Sequence, residues 1–101
     1  MRMIMHVEFP PEPFNTLVRN GTVGAALQKA LNDVKPEAAY FSEENGKRGG
    51  VLIVDVPDAS KIPALAEPFF LTLNANVRFR IAMTPEDLAR GDLAAIGKKY
   101  S

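Results

Sequence analysis

The chain has 101 residues, nearly half of them apolar, a length and composition that predict one compact domain over residues 1–101. Its 12 basic and 12 acidic side chains cancel, which argues against nucleic acid or anionic membrane surfaces as partners. The absence of cysteine excludes disulfides and thiolate chemistry and favours a cytoplasmic location. The N-terminal "MRMIMHVEF" is too short and polar for a signal peptide, and no apolar run approaches the ~20 residues of a membrane span.

The first half of the chain predicts a strand, a broken helix and a hairpin. "RMIMHVEF" alternates between two faces, with Met3, Met5, Val7 and Phe9 on the apolar one. Residues 14–34 fit a helix with one apolar stripe, interrupted at Asn20-Gly21, and Thr22 is expected to cap the second segment by accepting a backbone N–H. "EAAYFSE" and "VLIVDV" then predict two strands joined by a loop containing Asn45-Gly46.

The second half predicts a helix, a strand and a short terminal helix. Asp58 or Ser60 can cap the helix, and Ser60 is favoured because it puts Pro63 in the first turn. Pro68 is expected to end or kink this helix. The next strand carries an apolar set predicted to lie under the helices: Val77, Phe79, Ile81 and Met83. "MTPEDL" combines an N-cap threonine with a first-turn proline and acidic residues, and so predicts one more helix start.

The order β, α, β, β, α, β with a trailing helix predicts an α+β, ferredoxin-like fold with a four-stranded antiparallel sheet. Right-handed crossovers place both helices on one face and make the first and fourth strands neighbours. We call the other side the open face. Its predicted residues are His6, Glu8, Arg78 and Arg80, with Ile4, Tyr40 and either Val51 and Ile53 or Leu52 and Val54. Because this surface is too apolar to stay in water, we expect a second copy to cover it.

The stretch "VLIVDVPDASKIPALAEPFFLTLNANVRFRIAMTPEDL" and the element order resemble the dimeric α+β barrel superfamily. The nearest resemblance is to muconolactone isomerase-like proteins, in which a strand ending in "DVP" leads to a short helix, a Pro-Phe connection and a last strand. This implies a homodimer whose two sheets pack face to face, with ligands bound beside the bare face. The superfamily also includes antibiotic-biosynthesis-type monooxygenases and haem-degrading enzymes, but this chain lacks the tryptophan of the haem-degrading site.

His6 and Glu8 are the candidate catalytic residues. A lone histidine titrates near neutral pH and suits proton transfer. The alternative is an interface histidine held by Glu8. Arg78 and Arg80 are candidate substrate-binding residues, since guanidinium groups bind carboxylates in bidentate fashion. Their alternative is a salt bridge to Glu8 of the same or the partner chain.

Tyr40 and Asn74 complete the predicted substrate-binding set, although packing is an alternative role for Tyr40. His6 and Glu8 with Asp55 or Glu43 could supply metal ligands, but the spacing of a metal motif is missing, so no metal is expected. Nothing in the sequence holds a cofactor.

The sequence therefore predicts a homodimer that binds a small anionic organic compound, with isomerase-like proton transfer as its candidate chemistry. One alternative is a non-catalytic protein whose polar strand residues form the subunit interface. The other is a cofactor-free monooxygenase of the antibiotic-biosynthesis type.

Overall fold

The computed structural model describes residues 1–101 as a four-stranded sheet, five helices and one 3₁₀ turn. The strands run antiparallel in the order β2-β3-β1-β4, which confirms the predicted ferredoxin-like α+β fold. The elements are β1 (Arg2–Phe9), α1 (Pro11–Arg19), α2 (Val23–Val34), β2 (Ala38–Glu44), β3 (Lys47–Asp55), the 3₁₀ turn (Ala59–Lys61), α3 (Ile62–Leu73), β4 (Asn76–Ile81), α4 (Pro85–Arg90) and α5 (Leu93–Lys99). None of the helices is long and apolar enough to cross a membrane.

The core lies between one face of the sheet and the helices. Alternate residues of β1 and β3 are completely or almost completely buried there, together with apolar side chains of α3: Met5, Val7, Phe9, Leu52, Val54, Phe69 and Leu73. Leu52 and Val54 therefore point inward, which settles the choice left open by the sequence. Val51 and Ile53 lie on the open face, because successive side chains of a strand alternate.

The predicted helix break and hairpin are both present. Gly21 has a positive φ of 77° between α1 and α2. Asn45 and Gly46 join β2 to β3 with positive φ angles of 54° and 77°, as a two-residue hairpin turn requires. Thr22 occupies the N-cap position of α2, but its side chain accepts no backbone N–H there, and its hydroxyl donates to the Asn20 side chain.

The α3 region corrects two predictions. Asp58, not Ser60, is the capping side chain, and it caps the 3₁₀ turn by accepting from the Ser60 backbone N–H at 2.9 Å. Pro68 lies inside α3 and does not end it, since the helix continues to Leu73. An interior proline costs about 3 kcal/mol. Burial of Phe69 and Leu73, at about 1.5–3 kcal/mol each, offsets that cost.

We call residues 84–101 the C-terminal arm. Thr84 is the predicted N-cap at its start, and it forms a capping box with Asp87 in which each side chain accepts from the other's backbone N–H. All residues from Leu88 to Ser101 are exposed, and the molecule measures 60 × 28 × 19 Å. Ile81 and Met83, predicted to lie under the helices, are 64% and 68% exposed. That prediction was wrong, since β4 is an edge strand and the side chains at its end are left uncovered.

Candidate functional site

The open face is an ordered grid whose rows are set by strand register. His6 lies directly opposite Arg78 on one side and Val51 on the other, and Val51 in turn pairs with Tyr40. The neighbouring row pairs Ile4 with Arg80 and with Ile53. The residues predicted to share the open face therefore do share it.

His6 occupies the centre of the open face and is half-buried. Its Nδ1 atom is shielded from water and has no hydrogen-bond partner. Leaving a buried polar atom unpaired costs about 1–3 kcal/mol, so such an atom in a native protein calls for an explanation. Because water does not reach this atom, the imidazole ring must turn before a ligand atom or a group from a second copy can supply the missing bond.

Glu8 does not pair with either arginine. Its carboxylate accepts a hydrogen bond from Asn45 at 3.1 Å and lies 3.6 Å from the Lys47 ammonium. The Asn45 hydrogen bond is the main reason that the pKa of Glu8 lies below its ordinary value. Desolvation opposes it, and the Lys47 charge and a hydrogen bond from Asn76 lower the pKa further. Within one chain the predicted Glu8–arginine salt bridge does not form, because the hairpin turn brings its own donors over the end of β1. The pairing between two chains stays a prediction. Glu8 is consequently an ionised acceptor at neutral pH.

Arg78 pairs instead with Glu44, whose Oε1 accepts from Nη2 at 3.0 Å. Glu44 crosses over Gly49, where a Cβ atom would lie 2.6 Å from the Glu44 Cβ. The sequence analysis missed Glu44, although the Asn45-Gly46 turn pairs Glu44 with Lys47 and so fixes its face. Glu44 holds the Arg78 guanidinium on the same side of the sheet as His6.

The other predicted residues differ in their surroundings. Arg80 has no carboxylate within ion-pairing distance. Tyr40 is 72% exposed on the open face, two strands from His6. Asn74 is the C-cap of α3 and adopts a left-handed conformation at φ 52°, which asparagine tolerates better than most residues. It lies between α3 and β4 and outside the sheet grid.

The grid can bind an anion and exchange a proton. It combines a guanidinium without a carboxylate, a second guanidinium held by Glu44, and an imidazole nitrogen without a partner. Next to these groups lies an apolar strip of Ile4, Val51 and Ile53. No three histidine, cysteine, aspartate or glutamate side chains lie close enough together to hold a metal ion. Asp55 and Glu43, considered as ligands with His6 and Glu8, lie at the far end of β3 and on the helical side of β2 respectively.

A solved structure shares this fold. The chain matches 5-chloro-2-hydroxyhydroquinone dehydrochlorinase from Burkholderia phenoliruptrix AC1100, in complex with 2,5-dihydroxybenzoquinone, at a TM-score of 0.56 and 17% sequence identity. The match covers 86% of this chain and 99% of that one. No protein-family model and no curated protein matches the sequence. At this identity the likeness shows a common fold.

Proposed function

We propose that this protein is a cytoplasmic homodimer of the dimeric α+β barrel type that binds a small anionic organic compound at the open face. Its candidate reaction is a proton transfer, as in an isomerase. The observation that carries the proposal is the His6 Nδ1 atom, which is buried without a hydrogen-bond partner. His6 lies directly opposite Arg78 of the neighbouring strand β4, on the same face of the sheet. The dehydrochlorinase with this fold, solved with a quinone, gives a precedent for a small organic ligand on such a scaffold.

In this proposal the two arginines hold the anionic group of the ligand. Arg80 binds it directly because no protein carboxylate competes for its guanidinium. Arg78 contributes a second positive charge, partly neutralised by Glu44. The organic part of the ligand rests on the apolar strip of Ile4, Val51 and Ile53, near the phenol of Tyr40.

His6 is the proposed proton carrier. An unpartnered imidazole nitrogen can take a proton from a carbon next to a carbonyl and return it to another position. Glu8 stays ionised because Asn45 and Lys47 stabilise its charge, so it serves as an acceptor rather than an acid. A second copy covering the face would exclude water and strengthen both contacts to the anion.

A non-catalytic dimer is the second candidate. It is favoured by two ion pairs that are already complete within one chain, Glu8–Lys47 and Arg78–Glu44, as a purely structural interface would need. It assigns no role to Arg80 and leaves its charge to be buried unpaired, which is costly. A monooxygenase remains a third prediction, and a test for consumption of oxygen with an aromatic substrate addresses it.

Thermal unfolding with carboxylate probes tests the leading proposal. Benzoate, acetate and maleate are compared with uncharged benzamide. A probe at ten times its Kd should stabilise the protein by about 1.4 kcal/mol and raise Tm by roughly 5–11 °C. Arg80→Gln should remove the shift, whereas Arg19→Gln, an exposed arginine on α1, should keep it. If light scattering shows that Arg78→Ala is a monomer and no carboxylate raises Tm, the hypothesis of a non-catalytic dimer is correct.

A further inference from the structure

The C-terminal arm carries an apolar stripe that nothing in the chain covers. Leu93, Ile96 and Tyr100 recur at the i, i+3, i+7 spacing of one helix face and are 61%, 48% and 84% exposed. Helices of six and seven residues, the lengths of α4 and α5, are below the length that is stable alone in water. The arm therefore needs a surface to pack against.

The outer side of the helical layer offers an apolar groove, which we call the α2–α3 groove. Its cavity of about 560 Å³ is bounded by Ala30, Asp33, Pro63, Glu67, Pro68 and Leu71. Leu71 is 82% exposed although it lies beside fully buried Phe69. Two carboxylates, Asp33 and Glu67, outnumber the single ammonium of Lys29 along its walls.

The arm and the groove match in length, polarity and charge. Leu93 to Tyr100 rises about 10 Å along a helix, and the α3 wall from Pro63 to Thr72 rises about 14 Å. Lys98 and Lys99 bring two positive charges to the end of α5, against one net negative charge in the groove. We infer that α5 of one copy docks in the α2–α3 groove of a second copy, as an amphipathic helix docks in a helical groove.

A second copy is the occupant because the arm is directed away from its own body. The Ala82 backbone N–H donates to the Arg2 carbonyl oxygen at 3.1 Å, and the Thr84–Asp87 capping box then fixes where α4 begins. The result is a molecule 60 Å long, with a radius of gyration of 17.1 Å where a compact chain of this size has about 13 Å. Such an arm-to-groove contact is independent of the open face and can link dimers into a larger assembly.

Charge reversal in trans tests the inference on the full-length chain. Lys98→Glu with Lys99→Glu reverses the arm, and Asp33→Lys with Glu67→Lys reverses the groove. Each variant alone should associate about tenfold more weakly than the wild type in sedimentation equilibrium, and an equimolar mixture should regain most of the loss. Recovery in the mixture requires the arm of one chain to meet the groove of another, an outcome that misfolding does not produce.

A matched pair on α5 separates the apolar stripe from general effects of charge. Ile96→Gln should weaken association at least tenfold, while Ala95→Gln, which lies off the stripe and leaves the charge unchanged, should leave it within about twofold. A mixture without recovery, or equal effects of Ile96→Gln and Ala95→Gln, overturns the inference. If the wild type and every variant sediment with the same mass, the arm does not bind a second copy and the inference is also overturned. None of these readouts uses a ligand, so they stay distinct from the carboxylate tests.

Discussion

Gly49→Ala should destabilise the protein and disturb the site together. A Cβ at this position would lie 2.8 Å from the Val7 carbonyl oxygen and 2.6 Å from the Glu44 Cβ. Val7 is fully buried, so its backbone has no free volume into which it can retreat. The same methyl group pushes Glu44 away from the Arg78 guanidinium.

The size of the effect follows from two opposing terms. Overpacking a close-packed site costs about 1–3 kcal/mol. The loss of glycine's freedom in the unfolded chain returns about 0.4–1 kcal/mol. A net loss of roughly 1–2 kcal/mol should lower Tm by about 4–16 °C in a domain of this length. Thermal and urea unfolding followed by circular dichroism measure it.

Gly24→Ala is the matched control, because it adds the same methyl group where nothing lies within 4 Å. Gly24 lies inside α2, where alanine is preferred by about 0.5–1 kcal/mol, so the control should raise the free energy of unfolding. Opposite signs for the two variants would support the packing argument. A Gly49→Ala protein as stable as the wild type would show that β1 and β3 do not approach as closely as described, and would refute the reasoning.

Four further predictions concern side chains around the site and the arm. Glu44→Gln should lower the free energy of unfolding in urea by no more than about 1 kcal/mol, since the pair is partly exposed, but should enlarge the benzoate shift in Tm by freeing Arg78. The pKa of Glu8 is lower in the folded chain than its ordinary value of 4.5, so its stabilisation is present above that value and is lost as pH falls through the folded pKa. Glu8→Gln should therefore make the urea midpoint fall less between about pH 5 and 3. A variant whose urea midpoint falls as much as that of the wild type over this range would contradict the prediction. Asn74→Gly keeps the left-handed cap and should change the free energy of unfolding by less than about 0.5 kcal/mol. If this variant loses the benzoate shift in Tm, Asn74 contacts the ligand as predicted, and if it keeps the shift, Asn74 is not part of the site. Thr84→Ala should cost about 1 kcal/mol locally, seen as roughly fivefold faster amide exchange over residues 85–90, while the urea midpoint of the body stays unchanged.

The fold could be predicted because alternation and turn chemistry are local signals. Met5 and His6 point to opposite sides of β1 whatever else the chain does, since successive side chains of a strand alternate. The Asn45-Gly46 turn fixed the hairpin register, and the crossover rule then set β1 beside β4. These three steps place His6 and Arg78 on the same face of neighbouring strands, whereas the register that sets them opposite each other comes from the structure.

The charge pairing could not be predicted by the same means. Glu8 and Arg78 share a face, but each found a nearer partner on the hairpin, Lys47 and Glu44 respectively. Side-chain reach decides such choices, and it depends on sheet twist and on the empty space above Gly49. Pro68 is similar in kind: local propensity favoured a break, and burial of the neighbouring Phe69 kept the helix intact.

The same pairing argument favours an anion at the open face over a dry symmetric interface. Lys47 and Arg78 have carboxylate partners within their own chain, whereas Arg80 has none. A two-fold dimer presents each surface to a copy of itself, so closing the open faces would enclose two unpaired guanidinium groups. Burying an unpaired charge costs several kcal/mol. A bound carboxylate removes this cost, since it accepts hydrogen bonds from the guanidinium group that would otherwise be enclosed without a partner.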